Sequence, residues 1–188
     1  METSIRSRSH LELLTLRGIA YICEHSKKGL ALVARAGSHS LFSAILAEFY
    51  GDIRPPENDH PFRVTPNLTD MALTGTLGRN IAVMVRDPVE RFRSACARQK
   101  TKVGEGLLLR DKDVHFWSLE SMGVLGDEFV HFKFPQQLQE CASWLGINKK
   151  VLLLNSEPES KKPILSSEEI QKVSEAYAED IHFWRSLT

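Results

Sequence analysis

The sequence predicts an α/β protein built around a mostly parallel sheet, and three observations favour this class. Short apolar runs such as IAVMV (81–85) and VLLL (151–154) have the length of strands. Segments with the apolar spacing of helices alternate with these runs along the chain. Helix-starting residues follow the strands directly, as Asp87 and Pro88 follow IAVMV. We expect a three-layer sandwich that binds its ligand at the carboxyl ends of the strands.

The first elements follow from apolar spacing and turn residues. Apolar residues at roughly helical spacing predict an amphipathic helix near 8–25. A short strand, LALVA (30–34), comes next and ends at RAGSHS (35–40). The mixed apolar and small residues of LFSAILAEFY (41–50) predict the following helix. Three prolines and several turn formers in GDIRPPENDHPF (51–62) predict a loop, and loops often carry catalytic residues.

The remaining elements continue the alternation. Helices are predicted at 68–78, from Asp87 onward, at 113–123, 135–147 and 166–184, and strands at 81–85, 128–134 and 151–155. The segment EFVHFKF alternates as a strand does. PQQLQECASWLGI starts with a proline in its first turn and ends near a glycine, which is typical of a helix. Ser166 is a suitable cap for the final helix, whose first turn is acidic.

Size and charge restrict the possible functions. With 188 residues, 42% of them hydrophobic, the chain has material for one core, so we expect a single domain over 1–188. Lys and Arg together number 24, as do Asp and Glu, and a formal charge of zero argues against a nucleic-acid partner. Any anion site is therefore expected to be local.

Further patterns concern the compartment. The longest apolar runs fall short of the roughly 20 residues that cross a membrane, and METSIRSRSHLELLTLRG interrupts its apolar runs with charge, unlike a secretory signal. We expect a complete chain from Met1, located in the cytoplasm and without a membrane partner. Cys23, Cys96 and Cys141 are widely spaced, which favours reduced, buried thiols over disulfides or a zinc site.

The strand-to-helix junction at 86–88 places an arginine at the end of a strand. Asp87 as cap, Pro88 in the first turn and Glu90 three residues after the cap predict a helix start, so Arg86 is the last strand residue. One helix face carries the apolar Val89, Phe92 and Cys96, and another carries Arg91, Ser94 and Arg98. Ser94 can then lie beside a ligand that Arg86 also holds. The alternative is an arginine paired with Asp87 and an incidental surface serine.

A second junction, in LALVARAGSHSLFSAIL, resembles a phosphate-binding loop. Gly37 allows the backbone to approach an anion, and the N–H groups of the helix start point at it. Ser38 and Ser40 add hydroxyl donors. The loop is not the GxxxxGK[ST] form that binds ATP with magnesium, because its spacing is too short and no lysine precedes a serine.

Together the two junctions resemble the signatures of the sulfotransferase superfamily, which uses 3′-phosphoadenosine 5′-phosphosulfate (PAPS) as donor. RAGSHSL is similar to that family's first loop, with Arg35 in the place of its lysine. Arg86 and Ser94 keep the eight-residue spacing (94 − 86 = 8) of the pair that binds the 3′-phosphate. VRDPVERFRSA is most similar to the carbohydrate-type enzymes, and the resemblance extends over most of 30–184. It implies a P-loop-like sulfotransferase fold.

The resemblance also implies roles for individual residues. Arg35 binds the donor and stabilises charge on the leaving phosphate, although an arginine cannot supply the proton that a lysine could. The implied donor-binding residues are Arg35, Ala36, Gly37, Ser38, His39, Ser40, Arg86, Ser94, Lys161 and Lys162. For the two lysines, the alternative is a solvated charge run. No metal is implied by the chemistry or by any Cys/His spacing.

A base is needed to remove the acceptor's proton, and the resemblance puts it in the loop 51–62. Glu57 is our first candidate and His60 the second, with Asp59 beside them. The alternative is that these are solvated loop residues. His115 and His182 are weaker candidates, because each lies near a tryptophan in a predicted helix.

Three functions remain open from the sequence. The first is transfer of a sulfuryl group from PAPS to a hydroxyl or amine of a carbohydrate or small molecule, releasing 3′-phosphoadenosine 5′-phosphate (PAP). The second is a P-loop-like kinase using ATP, which has no need of the Arg86 and Ser94 pair. The third is a non-catalytic nucleotide-binding relic, which Arg35 and the small size favour. The acceptor and the oligomeric state do not follow from the sequence.

Overall fold

A computed structural model describes residues 20–23, 28–31, 33–49, 81–110, 112–127, 129–154 and 157–187. Four strands form one sheet in the order β1-β2-β3-β4. Their bounds are Ala20–Cys23 (β1), Lys28–Ala31 (β2), Ile81–Val85 (β3) and Phe129–Lys133 (β4). β1 pairs with β2 antiparallel, whereas β2, β3 and β4 are parallel to one another. The predicted α/β class with a mostly parallel sheet is confirmed, and the three-layer arrangement stays a prediction.

Six α-helices lie within the described ranges. They are Ser38–Phe49 (α1), Pro88–Gln99 (α2), Val103–Leu108 (α3), Leu138–Trp144 (α4), Ser167–Ala176 (α5) and Ala178–Ser186 (α6). A short 3₁₀ helix spans Glu159–Lys161. Throughout those ranges, every helix is too short or too polar to cross a membrane.

The helix α2 begins where local signals predicted it. The Asp87 side chain accepts a hydrogen bond of 3.0 Å from the N–H of Glu90, and Pro88 occupies the first turn. The helix ends at Lys100, whose backbone is left-handed (φ 54°). Arg86, directly after β3, is thereby held at the carboxyl end of the sheet.

Three predicted elements are wrong. Ala20–Cys23 is a strand rather than the end of a helix at 8–25, because its backbone pairs with β2. The segment 113–123 forms turns instead of a helix, and Asp180 accepts the N–H groups of Leu119 and Glu120. The described part of 151–155 does not join the sheet. There the N–H of Leu154 donates to Ser40 Oγ at 2.8 Å, so a side chain replaces a neighbouring strand as its partner.

The last predicted helix is confirmed but divided. Ser166 and Glu169 form a capping box at its start, as the serine and acidic first turn predicted. Tyr177 then interrupts the helix with φ −120° and ψ 33°, which separates α5 from α6. The predicted helix at 68–78 lies outside the described residues.

Two apolar clusters hold the elements together. The larger one joins the sheet to α1 and α4, and it includes Leu30, Val83 and Leu138. The smaller one contains the rings of Phe92, Phe116 and Tyr177 between α2 and the following segments. Cys96 and Cys141 are buried free thiols, as predicted, and burial raises their pKa to about 11 and about 12, respectively.

Candidate functional site

The two strand-to-helix junctions meet at one end of the parallel strands. Arg35 Nε donates to Ser94 Oγ at 3.1 Å. Arg86 Nη1 donates to the backbone carbonyl of Arg35, also at 3.1 Å. Arg35 therefore connects the two junctions, through its side chain to Ser94 and through its backbone carbonyl to Arg86.

The loop between β2 and α1 has an unusual backbone. Arg35 (φ 65°) and Gly37 (φ 80°) are both left-handed. A left-handed arginine costs roughly 1–2 kcal/mol, and such strain is concentrated at functional sites. The bond from Arg86 to the Arg35 carbonyl helps to hold this conformation.

The start of α1 presents backbone donors next to Arg35. The N–H of Leu41 donates a hydrogen bond of 3.1 Å to the carbonyl of Gly37. Ser38, His39 and Ser40 lie between these two residues and form the first turn of α1. The N–H groups of a first turn have no acceptor inside their own helix, which makes them an anion site. Ala36, Ser38 and Ser40 are buried. The Ser40 hydroxyl accepts the N–H of Leu154, so its oxygen also has a structural role.

Phe134 forms the floor under this loop. A Cβ at Gly37 would lie 2.6 Å from the Phe134 ring and 3.4 Å from Leu138. The guanidinium of Arg86 lies over the same ring, 5.5 Å from its centroid. Phe134 thus lies against both junctions.

We expect Gly37→Ala to lower the free energy of unfolding by roughly 1–3 kcal/mol, since the methyl group overpacks Phe134 and the backbone is left-handed. Gly104→Ala is the matched control, because nothing lies within 4 Å of a Cβ there. Gly104 is in α3, where alanine stabilises a helix by about 0.5–1 kcal/mol. Urea unfolding of both variants makes the comparison. Equal stabilities would show that the loop does not need glycine.

A carboxylate faces the arginines. Glu157 Oε1 lies 3.7 Å from Arg35 Nη2 and 3.9 Å from Arg98 Nη1. Beside these groups is an open cleft of about 470 Å³, lined by Cys96, Ala97, Arg98, Lys100, Thr101, Glu157, Lys161 and Pro163. The sequence had pointed to Lys161 and missed Glu157, although this acidic residue lies only a few positions before the two lysines.

Lys162 belongs to a second charged group at the start of α2. Its Nζ lies 2.6 Å from a carboxylate oxygen of Glu159 and 3.3 Å from one of Glu90. Arg86 Nη2 is 3.8 Å from the same oxygen of Glu90. Lys162 is only 9% exposed, so it is not part of a solvated charge run, whereas Lys161 is exposed on the 3₁₀ helix.

The arginines share an environment that favours an anion. Burial lowers the pKa of Arg35; Glu157 opposes this, and Arg98 and Arg86 lower it further. Burial also lowers the pKa of Arg86, although nearby carboxylates act against it. The pKa of His39 is lowered by burial and then by Arg98 and Arg35, which keeps the imidazole neutral near pH 7. An added negative charge would reduce the electrostatic repulsion among these cationic groups.

The other candidates have different surroundings. Glu57, Asp59 and His60 lie outside the described residues, so their roles stay predictions. His115 Nδ1 is 2.7 Å from Asp113 Oδ1 and makes a further contact with Gln99. Arg91, on the same helix face as Ser94, is buried in an ion pair with Asp180.

Comparisons with known proteins identify no relative. No protein-family model matches the chain, and no curated protein or solved structure shows significant similarity to it.

Proposed function

We propose that the protein is a sulfotransferase that moves the sulfuryl group of PAPS to a hydroxyl or amine of a carbohydrate or small-molecule acceptor. The observation that carries the proposal is the contact of Arg35, Ser94 and Arg86 across two strand-to-helix junctions. Each residue was selected from the sequence for its resemblance to a donor-binding motif. Their convergence on one site supports a common ligand.

The chemistry fits the groups available. Sulfuryl transfer is an in-line displacement in which the protein positions the reactants and neutralises developing charge. The donor's sulfur–oxygen bond breaks as the acceptor oxygen or nitrogen attacks sulfur, and the electron pair stays on the 5′-phosphate. Arg35 and the first-turn N–H groups of α1 stabilise that phosphate. Arg86 and Ser94 bind the 3′-phosphate, and Glu57 or His60 takes the acceptor's proton.

Arg35 also favours a second candidate function, that of a non-catalytic nucleotide-binding relic. Arg35 stands where the family has lysine, and its side chain is engaged with Ser94 and Glu157. A guanidinium remains charged and donates no proton to a leaving group. A protein with this residue can bind the donor and still fail to transfer it.

We expect the protein to bind PAP more tightly than AMP, because Arg86 and Ser94 make charge-assisted hydrogen bonds to the extra phosphate. The expected difference is roughly 1.5–3 kcal/mol, or about one to two decades of affinity. Arg86→Ala should abolish most of it. Calorimetric titration of both nucleotides into each protein measures the effect.

The control is Arg185→Ala, which removes an exposed arginine in the last turn of α6. Circular dichroism checks that Arg86→Ala keeps its fold, since Arg86 also supports the Arg35 loop. Arg86→Lys adds a graded case, because it retains charge without the forked donors. Equal affinities of the parent for PAP and AMP would refute the proposed donor.

A further inference from the structure

The Glu157 carboxylate lies between two arginines, where an anionic ligand could also bind. A single oxygen, Oε1, faces both Arg35 and Arg98, at 3.7 Å and 3.9 Å. The Glu157 side chain is only 15% exposed, so the carboxylate lies inside the cleft rather than over it. Neither separation is a hydrogen bond, which requires about 2.7–3.2 Å. The pairing is electrostatic and leaves room for closer contacts with another anion.

We infer that Glu157 is a built-in competitor for the anionic ligand, displaced when a phosphate group binds between Arg35 and Arg98. The identity of the nucleotide rests on the proposed function, whereas the competition itself requires only an anion. Displacement exchanges a loosely held carboxylate for phosphate oxygens that reach hydrogen-bonding distance of a guanidinium.

The charges lining the cleft define the ligand class. Arg98, Lys100 and Lys161 line it together with Glu157, and Arg35 lies beside it. A singly charged anion replaces the carboxylate without adding negative charge. A dianionic phosphate monoester adds one, in a place where positive charges repel one another. Glu157 therefore increases the advantage of a dianionic phosphate group over a monoanion such as a phosphate diester.

The test uses two probes, PAP and inorganic pyrophosphate, titrated calorimetrically into the parent and Glu157→Gln. Removing the competing charge should tighten both ligands about fivefold, in keeping with a partly exposed ion pair. Glu168→Gln is the matched control. Glu168 pairs with Lys172 on the exposed surface of α5, and the affinity of this variant for either probe should stay within about twofold of that of the parent.

Glu157→Ala is a second variant, for the case in which the glutamine side chain disturbs the cleft. It should also bind both probes more tightly than the parent. Unchanged or weaker binding of both probes by both Glu157 variants overturns the inference, as does failure of every protein to bind either probe. An equal gain in Glu168→Gln also overturns it, since the effect would then be one of general charge. Tighter pyrophosphate binding by Glu157→Gln, with the parent binding PAP no better than AMP, supports the competitor while refuting the proposed donor.

Discussion

Asp180→Ala is expected to lower the free energy of unfolding by about 3–5 kcal/mol, the usual cost of removing one partner from a buried ion pair. The Asp180 carboxylate lies 3.1 Å from Arg91 Nη2, and the two side chains are 1% and 3% exposed. The same carboxylate accepts the N–H of Leu119 at 2.8 Å and that of Glu120 at 3.1 Å. The variant thus leaves a buried guanidinium and two backbone donors without their acceptor.

Chemical denaturation of the parent and Asp180→Ala measures this effect. Glu168→Gln is the control, because Glu168 pairs with Lys172 on the exposed surface of α5 and exposed pairs contribute little to stability. Arg91→Met combined with Asp180→Leu should restore only part of the stability, since the apolar pair still leaves the two N–H groups unbonded. A loss below about 1 kcal/mol in Asp180→Ala would contradict a structural role for this pair.

Glu57→Gln is expected to lower turnover by roughly 10²–10⁴ if Glu57 is the general base, with donor affinity within about twofold of the parent. His60→Ala should then have a much smaller effect. The ranking reverses if His60 is the base, because Glu57 would only orient the imidazole. Transfer of labelled sulfate from saturating PAPS, to an acceptor found by screening, measures all three proteins.

Two outcomes would redirect the proposal. If neither variant loses even tenfold in turnover, the base does not lie in 51–62. If the parent binds donor but transfers to no acceptor in a broad panel, the relic is favoured, and Arg35→Lys becomes the informative change. Recovery of activity in that variant would identify the arginine as the residue that silenced the site.

Local signals account for the parts of the fold and site that the sequence predicted. The start of α2 depends on Asp87, Pro88 and Glu90, which act within one turn of one another. The meeting of Arg35 with Arg86 follows from a general rule, since the carboxyl ends of neighbouring parallel strands lie at one edge of a sheet. Adjacent β2 and β3 satisfy that rule.

Distant side chains account for two of the three wrong elements. Asp180 takes the N–H groups of Leu119 and Glu120, and the turns at 113–123 follow from a residue about sixty positions away. Ser40 accepts from Leu154 over a separation of 114 residues. Apolar spacing contains no information about such partners. Glu157 was missed for the same reason, because only the folded chain shows that it faces Arg35.

The hydrogen bond from Arg86 to the Arg35 carbonyl makes the two motifs epistatic. A substitution of Arg86 removes a hydrogen bond to the backbone of Arg35. The effect of a substitution at 35 therefore depends on the residue present at 86. The double variant Arg35→Lys/Arg86→Lys should therefore differ from the sum of the two single changes. We therefore expect the residue tolerated at either position to depend on its neighbour across the sheet, even where each residue binds a different part of a ligand.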